Sequence, residues 1–503
     1  MENISPDRTG EQVRAAPPQI LKDERRFAIF LASIFFILWA LPVWGALLIP
    51  AILAYVVVAY NLYWTLQALY SSAAALISYR RMQAWLRIDW LARYRQLEQP
   101  IEHLIMLPNY NERPEIMTAT LENLAASTFP REQLTVVLAM EEREPGALAK
   151  AQQLQAQFAD RFARIWITVH PLMADETACK GANLSYALRH LRKQWEELGW
   201  DSARVLVTTL DADTRLHPQF LACLSTQFLE ARDRTRKFFQ GMVMLVNNIW
   251  DVHAPIRVLS AFYTFTWVTG VSHYQRMTVA DYSASLRLLE ESNFWDPRVV
   301  QEDGHIFFRS FFAVHGGVDI VPVYLPVGLD AVHAPGLWQA LRTLYGQALR
   351  WAWTVSNLPF IADQWLRHSE IPLGVKVRKC LPYFEGLLIL PSSWFVITVG
   401  VWLPSIINPS MPTQVFGMPL NVLAPAILSP AVIGVVVAFV LNWRLRAQFA
   451  PPRPPAHLLA RMGQNLEWLL LPLCGVFYFG VLYLIAYWRL LRGRDMQFMP
   501  TPK

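Results

Sequence analysis

Charge is what this sequence has least of. Asp, Glu, Lys and Arg make up 17% of its 503 residues, against 54% hydrophobic, and mean hydropathy is +0.23. That balance excludes an ordinary water-soluble enzyme. The shortage is local. Residues 27–79, 386–443 and 468–488 contain no charged side chain at all. A membrane-spanning helix needs about 20 apolar residues, so the first two blocks each have room for two helices and the third for one. Pro42 with Gly45 would break the first block, and the polar, Pro-containing stretch 408–414 would divide the second.

Cysteine is scarce too. Cys179, Cys223, Cys380 and Cys474 are widely spaced, which suggests neither a disulfide framework nor a zinc site. The first apolar block lacks a small-residue cleavage site after a short core, so it reads as a retained hairpin and not a signal peptide. The net charge of +6 calls for no nucleic acid. Arginines beside the apolar blocks, facing anionic lipid headgroups, explain much of it.

Between residues 99 and 327 the composition becomes ordinary. The expectation is one soluble domain inserted between membrane helices: residues 1–26 an N-terminal segment, 27–79 a transmembrane hairpin, 80–99 a basic juxtamembrane segment, 100–335 the catalytic domain, 336–382 interfacial helices, 383–488 about three spans, and 489–503 a basic tail. Orientation follows from Lys and Arg near span ends. Lys22, Arg25 and Arg26 precede the first span. Arg80, Arg81, Arg87, Arg93 and Arg95 follow the second, and Arg444, Arg446, Arg453 and Arg461 lie between the fourth and fifth. This predicts a cytoplasmic N-terminus and soluble domain at a cell membrane, with 408–414 outside. Five spans would put the tail outside although it carries Arg489, Arg492, Arg494 and Lys503, so one apolar stretch within 386–488 is expected to be re-entrant.

Within the domain, β-like runs alternate with helical patterns. HLIMLPNYNE (103–112), LTVVLAMEE (134–142), RIWITVHP (164–171) and ARVLVTTLDAD (203–213) read as strands. TATLENLAAS (118–127), KGANLSYALRHLRKQWEEL (180–198) and LHPQFLACLSTQFLEA (216–231) read as helices. Such alternation predicts an α/β domain with a mostly parallel sheet. Parallel sheets bind ligands beyond the carboxyl ends of their strands. The polar clusters at 109–112, 141–142 and 211–213 all fall there.

The pair Asp211 and Asp213 admits two readings. Asp is common at turns and helix starts; alternatively, two carboxylates on one face of a strand suit Mg²⁺ or Mn²⁺, which bridge such oxygens to phosphate. Glu302 and Asp303 precede a helical stretch, where acids also suit the helix dipole. Gln347, Arg350 and Trp351 stand at i, i+3 and i+4 and would share a helix face.

Taken in order, PNYNE (108–112), the acids after the second strand, KGANL (180–184), DAD (211–213), QED (301–303) and QALRW (347–351) resemble the motifs of membrane-integrated family-2 glycosyltransferases with a GT-A fold, whose members synthesise cellulose, hyaluronan and chitin. The resemblance covers roughly residues 100–355. It implies an inverting, metal-dependent hexosyltransferase that uses a nucleotide-sugar, expected to be a UDP-sugar. It extends a polysaccharide at the cytoplasmic membrane face, with translocation of the product a further expectation; the alternative is a non-processive enzyme acting on a lipid or lipid-linked acceptor. Asp303 would be the general base, with Glu302 and His305 shaping its site. Asp211 and Asp213 would hold the cation. Tyr110 would stack on the base. Glu112 and Glu141 would bond to base or ribose, and Lys180 would approach the diphosphate. Gln347, Arg350 and Trp351 would close the site. The family's Asp after the second strand is here Glu141 or Glu142, Gln301 stands where Thr is common, and 281–296 lacks the glycine-rich acceptor loop of many relatives.

Overall fold

The computed structural model describes residues 20–273, 277–398, 402–409, 414–453, 463–464 and 466–496. Arg461, Lys503, the 410–413 part of the predicted outer link and most of the N-terminal segment lie outside the described residues.

The N-terminal apolar block forms α1 (Arg25–Trp39), α2 (Leu41–Leu48) and α3 (Pro50–Trp85). The break between α1 and α2 bends the chain by 68°, with Pro42 in the first turn of α2. Pro50 opens α3, where its missing N–H costs nothing. At 36 residues, α3 is about 54 Å long, well beyond the ~30 Å hydrocarbon layer. Its last turns therefore reach the domain: Arg81 Nη1 donates to the Tyr324 hydroxyl at 2.6 Å, and Trp85 meets the Tyr324 ring edge-on at 5.0 Å. Arg81, expected to face lipid headgroups, helps tie the sheet to this long apolar helix.

Among the described residues, three helices could cross a membrane by length and composition: α3, Leu420–Phe449 and Glu467–Arg492. There are four if the bent α1–α2 pair counts as one. The sequence predicts five apolar stretches, one of them re-entrant. Among the described residues, 390–407 form two short helices, Leu390–Thr398 and Leu403–Ile407, neither long enough to cross alone.

The domain is built on an eight-stranded sheet in the order β3-β2-β1-β4-β7-β6-β8-β5. The strands are β1 (Glu102–Asn109), β2 (Leu134–Glu141), β3 (Arg164–His170), β4 (Val205–Thr209), β5 (Arg215–Leu216), β6 (Lys237–Leu245), β7 (Tyr282–Ser285) and β8 (Asp319–Leu329). β3, β2, β1 and β4 are parallel, as expected. The other half is mixed: β7 runs antiparallel to both β4 and β6, β6 is parallel to β8, and β5 is antiparallel to β8. "Mostly parallel" thus holds for one half of the sheet. Every residue of β2 is buried, the continuous apolar run of a strand covered on both faces. The register pairs Asn109 with Met140 and Glu141 with His170, bringing the polar ends of β1 and β2 to one edge.

Helices α4 (Lys180–Glu197), α5 (Ala254–His273), α6 (Glu302–Ala313), α7 (Leu337–Ala352) and α8 (Asn357–Arg367) complete the parts that shape the site. α5 departs from the sequence reading. It lies inside the supposedly soluble stretch, yet it packs along α3 and Leu420–Phe449. Asn442 Nδ2 donates to the Ala261 carbonyl at 3.1 Å, and Arg446 Nη2 to that of Arg257 at 2.9 Å. Arg257 pairs with Glu467 at 2.5 Å. The domain and the long apolar helices are thereby packed together.

Candidate active site

β4 stops at Thr209, so Asp211 and Asp213 do not share a strand face. They stand in the turn that follows, closed by Thr214 N–H to the Asp211 carbonyl at 3.1 Å. Both nonetheless line the same cavity. Asp213 is buried, with Oδ2 accepting the Asp330 N–H at 3.0 Å. Asp211 Oδ1 accepts from Lys180 Nζ at 2.8 Å. The same ammonium lies 3.7 Å from Glu302 Oε1 and 3.8 Å from Asp303 Oδ1. Burial lowers its pKa, but Asp211, Asp303 and Glu302 outweigh burial and raise it well above the usual lysine range. Lys180 is therefore a fixed cation among the predicted metal, base and neighbouring carboxylates.

The close approach of α4 to α6 depends on the residue after Lys180. A Cβ on Gly181 would lie 2.9 Å from the Glu302 Cβ. Glu302 and Asp303 occupy the first turn of α6. Burial raises the pKa of both: at Glu302 the charges of Asp303 and Asp211 add to the rise and Lys180 opposes it, whereas at Asp303 Lys180 and Glu302 oppose the rise and Asp211 adds to it. Asp303 Oδ1 is buried without a hydrogen-bond partner. His305 turns elsewhere. Its Nδ1 lies 3.2 Å from Asn357 Oδ1 and its ring packs on Phe360, so it joins α6 to α8 and does not line the cavity.

At the end of β1, Glu112 Oε2 accepts from Asn109 Nδ2 and from the Tyr110 N–H, both at 2.7 Å. Of the two candidate acids after β2, Glu141 lines the cavity and is buried, whereas the Glu142 side chain is exposed. Arg143 pairs with Glu141 through Nε at 2.9 Å and lies 4.4 Å over the Tyr110 ring. Gln347, Arg350 and Trp351 line the cavity from one face of α7. Gln301 Nε2 donates to the Arg350 carbonyl at 2.5 Å, and Trp351 meets Tyr263 of α5 edge-on at 4.5 Å.

Asp281 was missed by the sequence reading. It is buried in the left-handed region at φ 61°. Its Oδ1 accepts from the Asp211 N–H and the Thr214 hydroxyl, each at 2.8 Å, and so holds the turn that carries both aspartates. Burial first, then Asp211, raises its pKa. A lone Asp ahead of a short strand gives no sequence signal for such a role. Arg143, too, carries no motif.

Charge tests whether a cation fits. Glu112, Glu141, Asp211, Asp213, Glu302, Asp303, Asp330 and Glu385 line the cavity; Lys180 and Arg350 are the two cations among its lining residues. A site with that excess of hard oxygen ligands suits Mg²⁺ or Mn²⁺. Without such an ion it would repel an anionic substrate.

Residues 206–489, more than half the chain and including the two aspartates, α6 and α7, match the model for glycosyl transferase family group 2. The chain belongs to that family. The protein is a glycosyltransferase. Among curated proteins none matches this glycosyltransferase. Solved structures resemble it distantly. A mannosyltransferase from Pyrobaculum calidifontis, in complex with GDP-mannose and Mn²⁺, is 17% identical over 87% of this chain and 100% of that one, with a TM-score of 0.41. TarS from S. aureus, in complex with UDP-GlcNAc, is 12% identical over 70% of this chain and 93% of that one, with a TM-score of 0.33. At such scores neither likeness carries an argument about this glycosyltransferase.

Proposed function

We propose that this glycosyltransferase moves a sugar, with inversion, from a nucleotide-sugar to an acceptor that enters through the membrane helices. The observation that carries this is one cavity of about 950 Å³. Its lining includes Tyr110, Glu141, Lys180, Asp211, Asp213 and Asp303 of the domain together with Phe265, Val271, Leu390, Ile397, Leu428, Val435 and Leu471 of the apolar helices. Asp211 and Asp213 would hold Mg²⁺ or Mn²⁺, which when bound offsets negative charge on a leaving diphosphate. Tyr110 and Glu141 would receive base and ribose, and Arg350 would add a planar fork for phosphate oxygens. Asp303, at the buried start of α6, would take the proton of the attacking hydroxyl. One displacement on the face opposite the leaving group inverts the anomeric centre.

The apolar walls favour an acceptor with a hydrocarbon chain, a lipid or lipid-linked sugar, over a bare polysaccharide. The polymer reading is supported by Trp64, Tyr263 and Trp351 in the same lining, since aromatic faces stack on sugar rings. Mass spectrometry of products made from radiolabelled donor, with total bacterial lipid or with oligosaccharide as acceptor, tests this. Label in a single-sugar lipid supports the first reading; a ladder of sugars supports the second. No release of nucleoside diphosphate with any donor would overturn both.

Four spans, with α1–α2 as one, would return the tail to the side of the N-terminus and remove the conflict with its arginines. We place the domain in the cytoplasm on the Lys and Arg bias. Cysteine introduced at Ser202 should react with an impermeant thiol reagent only after lysis, and at the exposed Met418 in intact cells. The native cysteines are buried.

A further inference from the structure

We propose that His315, His368 and Glu370 form a second metal site, which takes a zinc ion and ties the far end of α6 to the turn after α8. The three residues offer two imidazole nitrogens and one carboxylate oxygen, all within 4.8 Å of one another. Glu370 Oε1 lies 2.9 Å from His315 Nδ1 and 2.6 Å from His368 Nδ1. Zinc binds imidazole nitrogen and carboxylate oxygen at about 2.0–2.2 Å, which sets tetrahedral ligand atoms roughly 3.3 Å apart. Opening the two contacts to that spacing, by about 0.4 Å at the exposed His315 and about 0.7 Å at the half-buried His368, admits the ion, and water completes its shell.

Packing on both sides builds this convergence. His368 stacks on Phe312, with ring centroids 5.4 Å apart and planes 28° apart. Its Nε2 lies 3.2 Å from Gln364 Oε1. An N–H donated there leaves Nδ1 free of its proton, the tautomer a metal requires. On the other side, the Gly316 N–H closes on the Phe311 carbonyl at 2.7 Å, and His315 takes the left-handed φ of 54°. Gly316 itself presses on the Glu370 turn, where a Cβ would lie 2.8 Å from Ile371 Cγ2. The chain carrying His315 is thus packed directly against the chain carrying Glu370.

This site is distinct from the catalytic cavity. Glu302 and Asp303 open α6 and His315 lies beyond its end, about 18 Å away for a 12-residue helix. Its chemistry differs too, because imidazole selects zinc where an all-oxygen site selects Mg²⁺ or Mn²⁺. The ion would join α6, which carries Asp303, to α8, which continues from the α7 segment carrying Gln347, Arg350 and Trp351.

The test is calorimetric titration of Zn²⁺ into the purified, metal-stripped full chain, without nucleotide and with excess Mg²⁺ present. The expected result is one equivalent bound with a micromolar or tighter dissociation constant and a rise in melting temperature. His315→Ala, His368→Ala and Glu370→Gln should each weaken binding roughly tenfold or more, the loss even an outer-shell partner can cause. Asp211→Asn should leave it unchanged. The proposal is overturned if the parent takes no Zn²⁺ in that range. It is equally overturned if the histidine variants bind as the parent does, or if Asp211→Asn abolishes the signal.

Discussion

Lys180 Nζ lies 2.8 Å from Asp211 Oδ1, so the first aspartate of the pair is neutralised by a side chain before any cation arrives. An ammonium and a divalent ion then compete for the same oxygen. Lys180→Met should tighten Mn²⁺ binding to the nucleotide-free protein by about fivefold or more, the low end of ordinary coupling energies, while lowering turnover. Asp211→Asn should weaken Mn²⁺ and lower turnover together. Calorimetry with Mn²⁺ alone separates the two variants. Equal loss of Mn²⁺ affinity in both would show that Lys180 supports the metal site and does not compete with it.

Asp281 holds the turn that carries Asp211 and Asp213 through one oxygen. Asp281→Asn keeps that acceptor and a residue type tolerant of positive φ. Asp281→Ala leaves two donors unpaired, at about 1–3 kcal/mol each. The Mn²⁺ concentration for half-maximal turnover should rise markedly in the Ala variant and much less in the Asn variant. Identical Mn²⁺ dependence in all three proteins would remove Asp281 from the site.

Asp303 is the second residue of α6, behind the N-cap Gln301, and its buried Oδ1 has no hydrogen-bond partner, so it caps nothing. Asn keeps its shape, so Asp303→Asn should fold normally and retain nucleotide affinity. A base predicts turnover lower by roughly 10²–10⁴-fold. Turnover within about threefold of the parent, well short of that range, would send the search to Glu302.

Two buried imidazoles predict acid lability. Burial lowers the pKa of His103 to about 3 and of His305 to about 4. Both are neutral when folded and take up a proton near pH 6.5 once unfolded. The unfolded state binds more protons, so stability rises with pH. It should be fully present above about pH 6.5 and fall as pH drops toward 4, by about 1.4 kcal/mol per pH unit for each histidine. Melting temperatures from pH 7 to 5 check this. His103→Gln and His305→Gln should each flatten the slope; an unchanged slope in both would assign the acid loss to other groups.

Much of this was legible in the residues. The charge-free blocks marked helices long and apolar enough to cross a membrane, because hydrocarbon admits no uncompensated charge. The runs that became β1 to β4 announced a parallel half-sheet, and the ordered motifs pointed to the family that the match over 206–489 then gave. Spacing alone put Gln347, Arg350 and Trp351 on one face of α7.

Tertiary structure decided the rest, and the reason is distance along the chain. That Glu141 and not Glu142 faces the cavity depends on where β2 ends relative to β3. Asp281 reaches Asp211 across 70 positions, because β7 inserts between β4 and β6. α5 is apolar along most of its length, but that it packs on α3 and Leu420–Phe449 and not within the domain is settled by tertiary contacts. His305, paired by sequence with Asp303, faces Asn357 instead, since successive positions on a helix point in different directions. Local pattern reports what a segment can bury. Which side chains meet is set by the packing of segments far apart in sequence.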